Sequence, residues 1–268
     1  MVLKWGDEMD LIRVDNGKYD EYEDLLLERD HINKRAGQIW TAYQKAFGKL
    51  ITDLLQAKIE CIKRKKMLSY YQKAINRGLP IDQDAMQEWL HGEMLAYQAE
   101  LNRMLDDYKR ASSSGISTAY EVQRSKELYR RIAKLIHPDI NPETDRHEKL
   151  IELWNRTSIA YGRNDVKELA EIEVLVRTVM KEIGIGVVRT DIPDLDDKIE
   201  ALKEEIETIK TTKPYTYLYL VEDEEASQEE TTKLEKELES YRVYSSELDA
   251  QLSAMINEGK VSFQWRMN

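Results

Sequence analysis

Cysteine occurs once in the 268 residues, at Cys61, and phenylalanine only twice. A single thiol excludes a disulfide scaffold and any cysteine-built zinc or iron–sulfur centre. Glycine (11) and proline (5) are scarce, which speaks against a β-rich or α/β enzyme with its many tight turns. No apolar run approaches the roughly 18 residues of a membrane span. The first residues, Met1-Val2-Leu3-Lys4-Trp5-Gly6-Asp7-Glu8, are too acidic and too weakly apolar for a signal peptide. A reduced, cytoplasmic location is therefore the expectation. Net basic charge is missing as well. The chain carries -11, which argues against non-specific nucleic-acid binding but leaves room for a local basic patch. What is present instead is charge of both signs, 34% of residues, beside 41% hydrophobic ones. Those proportions suit long solvated helices with narrow apolar stripes, so the expected fold class is all-α.

The strongest stripe runs Trp40, Tyr43, Phe47, Leu50, Leu54, Ala57, Cys61, Arg64, Leu68, Tyr71, Ile75. Steps of three and four held this long predict a coiled-coil seam on a helix from about Lys18 to Arg77, on the order of 90 Å long. Upstream the seam weakens, because Arg29 and Asn33 fall on it. Gly78 and Pro80 stop the helix, and Asp82 caps a second one bearing Met86, Leu90, Met94, Tyr97, Leu101, Met104 and Tyr108. The two form an antiparallel hairpin, residues 1–111. The second arm is the shorter, so the surplus seam needs a cover: the C-terminal segment or a second protomer. After the linker Ser112-Ser113-Ser114-Gly115, Thr118 and Glu121 form a capping box. Three helices are expected over 118–183, the second opened by Asp145 and Glu148, the third capped by Asp165 and ended by Gly184 and Gly186. Residues 191–268 read as a second antiparallel hairpin. Its arms are Leu195–Ile209 and a helix opened by a capping box at Ser227 and Glu230. Between them Tyr215-Thr216-Tyr217-Leu218-Tyr219-Leu220 alternates like a strand, with the tail Val261–Trp265 as its ribbon partner.

One segment carries chemistry. His137-Pro138-Asp139 follows the amphipathic helix Leu128-Tyr129-Arg130-Arg131-Ile132-Ala133-Lys134-Leu135-Ile136. Pro138 pushes His137 out of the helical region, so His137 and Asp139 are expected to project from a rigid turn. Arg130, Arg131 and Lys134 make a positive stripe on an otherwise acidic chain. The following helix ends in Trp154-Asn155-Arg156-Thr157-Ser158-Ile159-Ala160-Tyr161. Together these residues resemble a J domain, the module of DnaJ-type co-chaperones. Tyr129, Arg130 and Ala133 match its basic second helix, Trp154 stands at the aromatic position of its third, and Ala160-Tyr161 match the pair that follows. The resemblance covers 118–183. It implies a three-helix module with Leu128, Ile132, Leu135, Trp154, Ala160 and Tyr161 in its core. It also implies a chaperone-binding face of Tyr129, Arg130, Arg131, Lys134, His137, Pro138 and Asp139 that docks on a DnaK-type ATPase and promotes ATP hydrolysis. Such a protein binds without catalysing; no catalytic residue, cofactor or metal is implied. The helical arms would serve client polypeptides, a partner or homodimerisation. The chain departs from the family in lacking a clear first helix between Tyr108 and Tyr120, a Gly/Phe-rich linker and zinc-binding cysteine repeats.

Plainer readings stand beside these. The tripeptide can be a helix-ending loop in which Asp139 caps, or part of a J-like fold that no longer stimulates a chaperone and serves a coiled-coil scaffold. His137 and His147 as metal ligands lack a supporting motif. The run Lys63-Arg64-Lys65-Lys66 reads as a solvated face paired with acidic neighbours rather than a nucleic-acid site. The tyrosine row more simply covers a hairpin end than stacks on bases or clients.

Overall fold

The computed structural model describes residues 16–115, 117–185, 192–257 and 262–264. Its helices are α1 (Asn16–Arg77), α2 (Gln83–Ser113), α3 (Ala119–Ile136), α4 (Glu148–Gly162), α5 (Val166–Glu182), α6 (Leu195–Thr211), α7 (Leu218–Glu222) and α8 (Glu224–Asn257). Two-residue strands, β1 (Ile81–Asp82) and β2 (Phe263–Gln264), pair in parallel. The chain is thus all-α. It divides into two compact units, residues 1–37 with 115–215 and residues 38–114 with 216–268. Both units are discontinuous in sequence, so the consecutive stretches 1–111 and 191–268 each contribute to both.

In the first unit, α3, α4 and α5 enclose a core of Leu128, Ile132, Ala133, Ile136, Leu150, Leu153, Ala160, Leu169, Ile172 and Val176. Each large side chain buried here contributes roughly 1.5–3 kcal/mol. Local signals set the helix starts. Thr118 and Glu121 close the expected capping box on α3, and the Asp165 carboxylate accepts the Glu168 amide at the start of α5. The α4 start differs from expectation: Thr144–Arg146 is a 3-10 turn and the helix begins at Glu148, after His147. Residues 16–37 of α1 join this unit. Tyr19, Tyr22 and Leu26 are buried with Ile140, Ile199 and Leu202, while Leu27 packs on the α3–α5 core. Ion pairs Lys18–Asp196, Glu21–Lys203 and Glu28–Lys210 set α6 alongside this segment, running in its direction.

In the second unit, α2 runs antiparallel to residues 38–77. Lys66 meets Glu93 and Tyr70 meets Trp89. Gly78 takes the left-handed conformation (φ 63°) that ends α1, and the Asp82 side chain accepts the Ala85 amide to start α2. Gly48 marks a close approach: a Cβ there would lie 2.8 Å from the Tyr108 ring. α8 lies along the same stretch of α1 but in its direction, through Lys58–Glu237, Cys61 with the Tyr241 carbonyl, and Lys65 over the Tyr244 ring. Leu234 and Leu238 pack with Tyr43, Phe47 and Leu54, and Leu252 with Tyr71.

The expected hairpin over 191–268 is therefore corrected. The α6 and α8 seams are each closed on α1, within different units, and the surplus seam of α1 is covered by the C-terminal helix. The tyrosine segment is helical, a 3-10 turn at Tyr215–Tyr217 followed by α7. Its Tyr217, Leu220 and Val221 face one cluster at helical spacing. α8 begins at Glu224, with the Asp223 carboxylate accepting the Ala226 amide, ahead of the expected box at Ser227. Phe263–Gln264 pairs with Ile81–Asp82 and not with the tyrosines. Gly186, Val261 and Trp265 lie outside the described residues.

Candidate functional site

The His-Pro-Asp loop sits where the sequence puts it, at the end of α3. His137 is the C-cap residue, extended at φ −64° and ψ 126°, and its amide still donates to the Ala133 carbonyl. Its own carbonyl accepts the amides of Ile140 and Asn141 at 2.9 and 2.7 Å, which folds the loop into a tight turn. Asn141 braces it from outside, donating from Nδ2 to the Leu135 carbonyl and accepting the Glu143 amide.

The expectation that His137 projects from this turn is corrected. The residue is 3% exposed. Its ring meets Trp154 edge-on at 4.6 Å between centroids. Nδ1 accepts the Asp139 amide at 3.1 Å, so the proton of the neutral ring belongs on Nε2. That atom faces Asp30 Oδ2 at 3.4 Å. The same Asp30 oxygen accepts the Tyr129 hydroxyl at 2.7 Å, and Oδ1 pairs with Arg29 at 3.0 Å. Burial by itself would raise the Asp30 pKa, but the His137 ring, the Tyr129 hydroxyl and the Arg29 charge outweigh it and hold the carboxyl below its ordinary value. Asp139 is half-exposed and lies 3.7 Å from Arg29. Pro138 lines a cleft with Tyr22, Leu26 and Arg29.

The basic stripe is also occupied. Arg130 pairs with Asp24 and Lys134 with Glu23, both on α1. Arg131 makes a two-pronged pair with Glu173 of α5 at 2.9 Å on each arm, which with Arg177 pulls the Glu173 pKa down to about 2. Tyr129 stacks on Tyr161 at 3.9 Å, and burial next to Asp30 pushes its phenol well above the ordinary range. Of the expected core residues, Leu128, Ile132, Ala160 and Tyr161 are buried, while Leu135 and Trp154 are partly buried against the same cluster.

Beside Tyr161 lies a polar knot that sequence reasoning missed. Lys34 Nζ stands 3.6 Å over the Tyr161 ring and donates to Asn164 and Ser125. Burial, helped by the Lys126 charge, lowers its pKa to about 8. Asn164 is buried with φ 56°, a conformation that asparagine tolerates better than most residues. Also missed were the α1 carboxylates. Their one signal was the fault at Arg29 and Asn33: Arg29 lies near Asp139, and Asn33 lines the cleft beside His137 and Trp154.

Other candidates resolve separately. In the basic run, Arg64 pairs with Asp249 and Glu60, and Lys66 with Glu93. Tyr217 stacks on Tyr43 at 4.1 Å. His147 stands before α4, near Glu143. Among the described residues no group of three or more His, Cys, Asp or Glu is placed to hold a metal ion, and no helix is long and apolar enough to cross a membrane. No family model, no curated protein and no solved structure matches the chain. The site thus gathers cations paired with carboxylates of α1 and α5, a buried imidazole and stacked aromatics around a tight turn.

Proposed function

We propose that the chain is a J-domain-type co-chaperone that binds a DnaK-type ATPase through the His-Pro-Asp loop and the α3 stripe, and so promotes ATP hydrolysis by that partner. In this reading α3–α5 are the J-like module. The remaining helices are coiled-coil arms for clients, a partner or self-association, in a cytoplasmic setting. The observation that carries it is the joint placement of the motif residues. His137-Pro138-Asp139 caps the helix that bears Tyr129, Arg130 and Lys134, and its imidazole rests on Trp154 of the helix that bears Ala160 and Tyr161. A J domain acts as an allosteric ligand, so it needs a shaped surface and no reacting group of its own.

A second reading, a scaffold or adaptor whose J-like fold no longer stimulates a chaperone, is favoured by one observation: His137 is buried, with Nε2 turned to Asp30 of the same chain. Steady-state ATP hydrolysis separates the two. It is measured with the chain and with a variant in which the facing carboxylates are neutralised by Glu23→Gln, Asp24→Asn and Asp30→Asn. Stimulation that disappears on adding His137→Gln supports the co-chaperone. Absence of stimulation by both proteins at any concentration supports the scaffold.

A further inference from the structure

We propose that residues 16–37 are a resident occupant of the face formed by α3 and the His-Pro-Asp loop: an acidic helical segment of the chain itself holds the surface that an acidic partner would take. The identity of that partner rests on the co-chaperone reading. The occupancy stands on geometry alone. Three carboxylates of one helical segment answer three groups of the face: Asp24 on Arg130, Glu23 on Lys134 and Asp30 on His137. Glu23 and Asp30 are seven residues apart, two helical turns, and so share a side of the segment. Arg29 of the same segment reaches Asp139, so the flanking residues of the tripeptide are both engaged. The turn's next residue, Ile140, is buried under Tyr19, Tyr22 and Leu26.

An acidic partner cannot pair with Lys134 or reach His137 while this segment is seated. Its binding then requires the segment to leave, and the apparent affinity falls by the fraction of molecules in which it has left. The segment also carries a built-in weakness. Gly37 lies inside α1 at the last residue of the unit's first stretch, and a Cβ built there would meet nothing within 4 Å. Packing does not call for glycine at this place, and glycine weakens a helix interior relative to alanine.

The test uses the full chain and two readouts. The first is carbethoxylation of His137 by diethyl pyrocarbonate, followed by mass spectrometry, with the exposed His91 as the internal standard. The second is the affinity of a DnaK-type chaperone in its ATP state. Glu23→Gln/Asp24→Asn/Asp30→Asn keeps shape and removes charge, and circular dichroism checks that it folds. It is expected to speed His137 modification on the order of tenfold and to tighten chaperone binding by the same factor. Gly37→Ala touches neither the loop nor the stripe, and is expected to move both readouts the opposite way, by roughly two- to fivefold. Faster modification with no chaperone binding leaves the resident segment in place and overturns the co-chaperone reading. Unchanged His137 modification in the folded triple variant overturns the resident segment. So does a wild-type chain that binds the chaperone as tightly as the triple variant.

Discussion

Replacing Asp30 by alanine probes the junction on which the site is built. The carboxylate accepts the Tyr129 hydroxyl at 2.7 Å and faces His137 Nε2 at 3.4 Å. Both donors belong to buried residues, 5% and 3% exposed. Alanine leaves two buried donors without an acceptor, at about 1–3 kcal/mol each. The lost pair with Arg29 adds little, because that guanidinium keeps Asp139 and Glu205 nearby. The expected cost is about 2–6 kcal/mol. Asp30→Asn keeps one acceptor oxygen in the same place, so it is expected to cost about half as much. Amide hydrogen exchange read by mass spectrometry gives the opening free energy of the segment from Leu128 to Asn141 in the full chain. Protection there should fall by the stated amount, while α2, in the other unit, is unaffected. If Asp30→Ala changes the opening free energy of this segment by less than ~0.5 kcal/mol, Asp30 does not hold His137 and the account of the buried loop is wrong.

Three further outcomes follow from the same geometry. His137→Gln loses the edge-on contact with Trp154 and is expected to destabilise the first unit by about 1–2 kcal/mol, measured by urea titration; an unchanged midpoint would mean that the ring is not packed as described. Glu173 has its pKa depressed from 4.5 to about 2 by Arg131 and Arg177. Its contribution is therefore complete above the unfolded value and is lost as pH falls from 4.5 towards 2. Glu173→Gln should flatten that acid loss, and an identical acid profile would refute the assignment. In the second unit, Gly48→Ala puts a methyl group 2.8 Å from the Tyr108 ring. Steric cost of about 1–3 kcal/mol outweighs the ~1 kcal/mol gained in helix propensity, so α2 should exchange faster; slower exchange would contradict the close approach.

Most local signals were legible in the sequence because local interactions decide them, although α4 starts at Glu148 rather than at Asp145 and α8 starts ahead of the Ser227 box. The α1 stop at Gly78, the Asp82 cap, the Thr118–Glu121 box and the Asp165 cap each depend on neighbours within a few residues, and each is found. Pairing was harder. Seams on α6 and α8 look self-complementary in sequence, yet each packs on α1, and nothing in a heptad pattern says which partner wins. The tyrosine segment misled through period. Aromatic residues at 215, 217 and 219 alternate, while the residues that pack, Tyr217, Leu220 and Val221, repeat at helical spacing. At the site, the loop and its supporting helix were readable from the residues themselves. Its burial was not, because Asp30 lies 107 positions from His137 along the chain and its pairing is a tertiary fact.

The proposed co-chaperone role requires the His-Pro-Asp loop to act on a DnaK-type ATPase. Steady-state ATP hydrolysis by such a chaperone is titrated with the Glu23→Gln/Asp24→Asn/Asp30→Asn chain, in which the carboxylates facing the stripe and the loop are neutralised. The expected result is a saturable rise in the hydrolysis rate that His137→Gln in the same background removes. A flat titration, or a rise that survives His137→Gln in a folded protein, would contradict it.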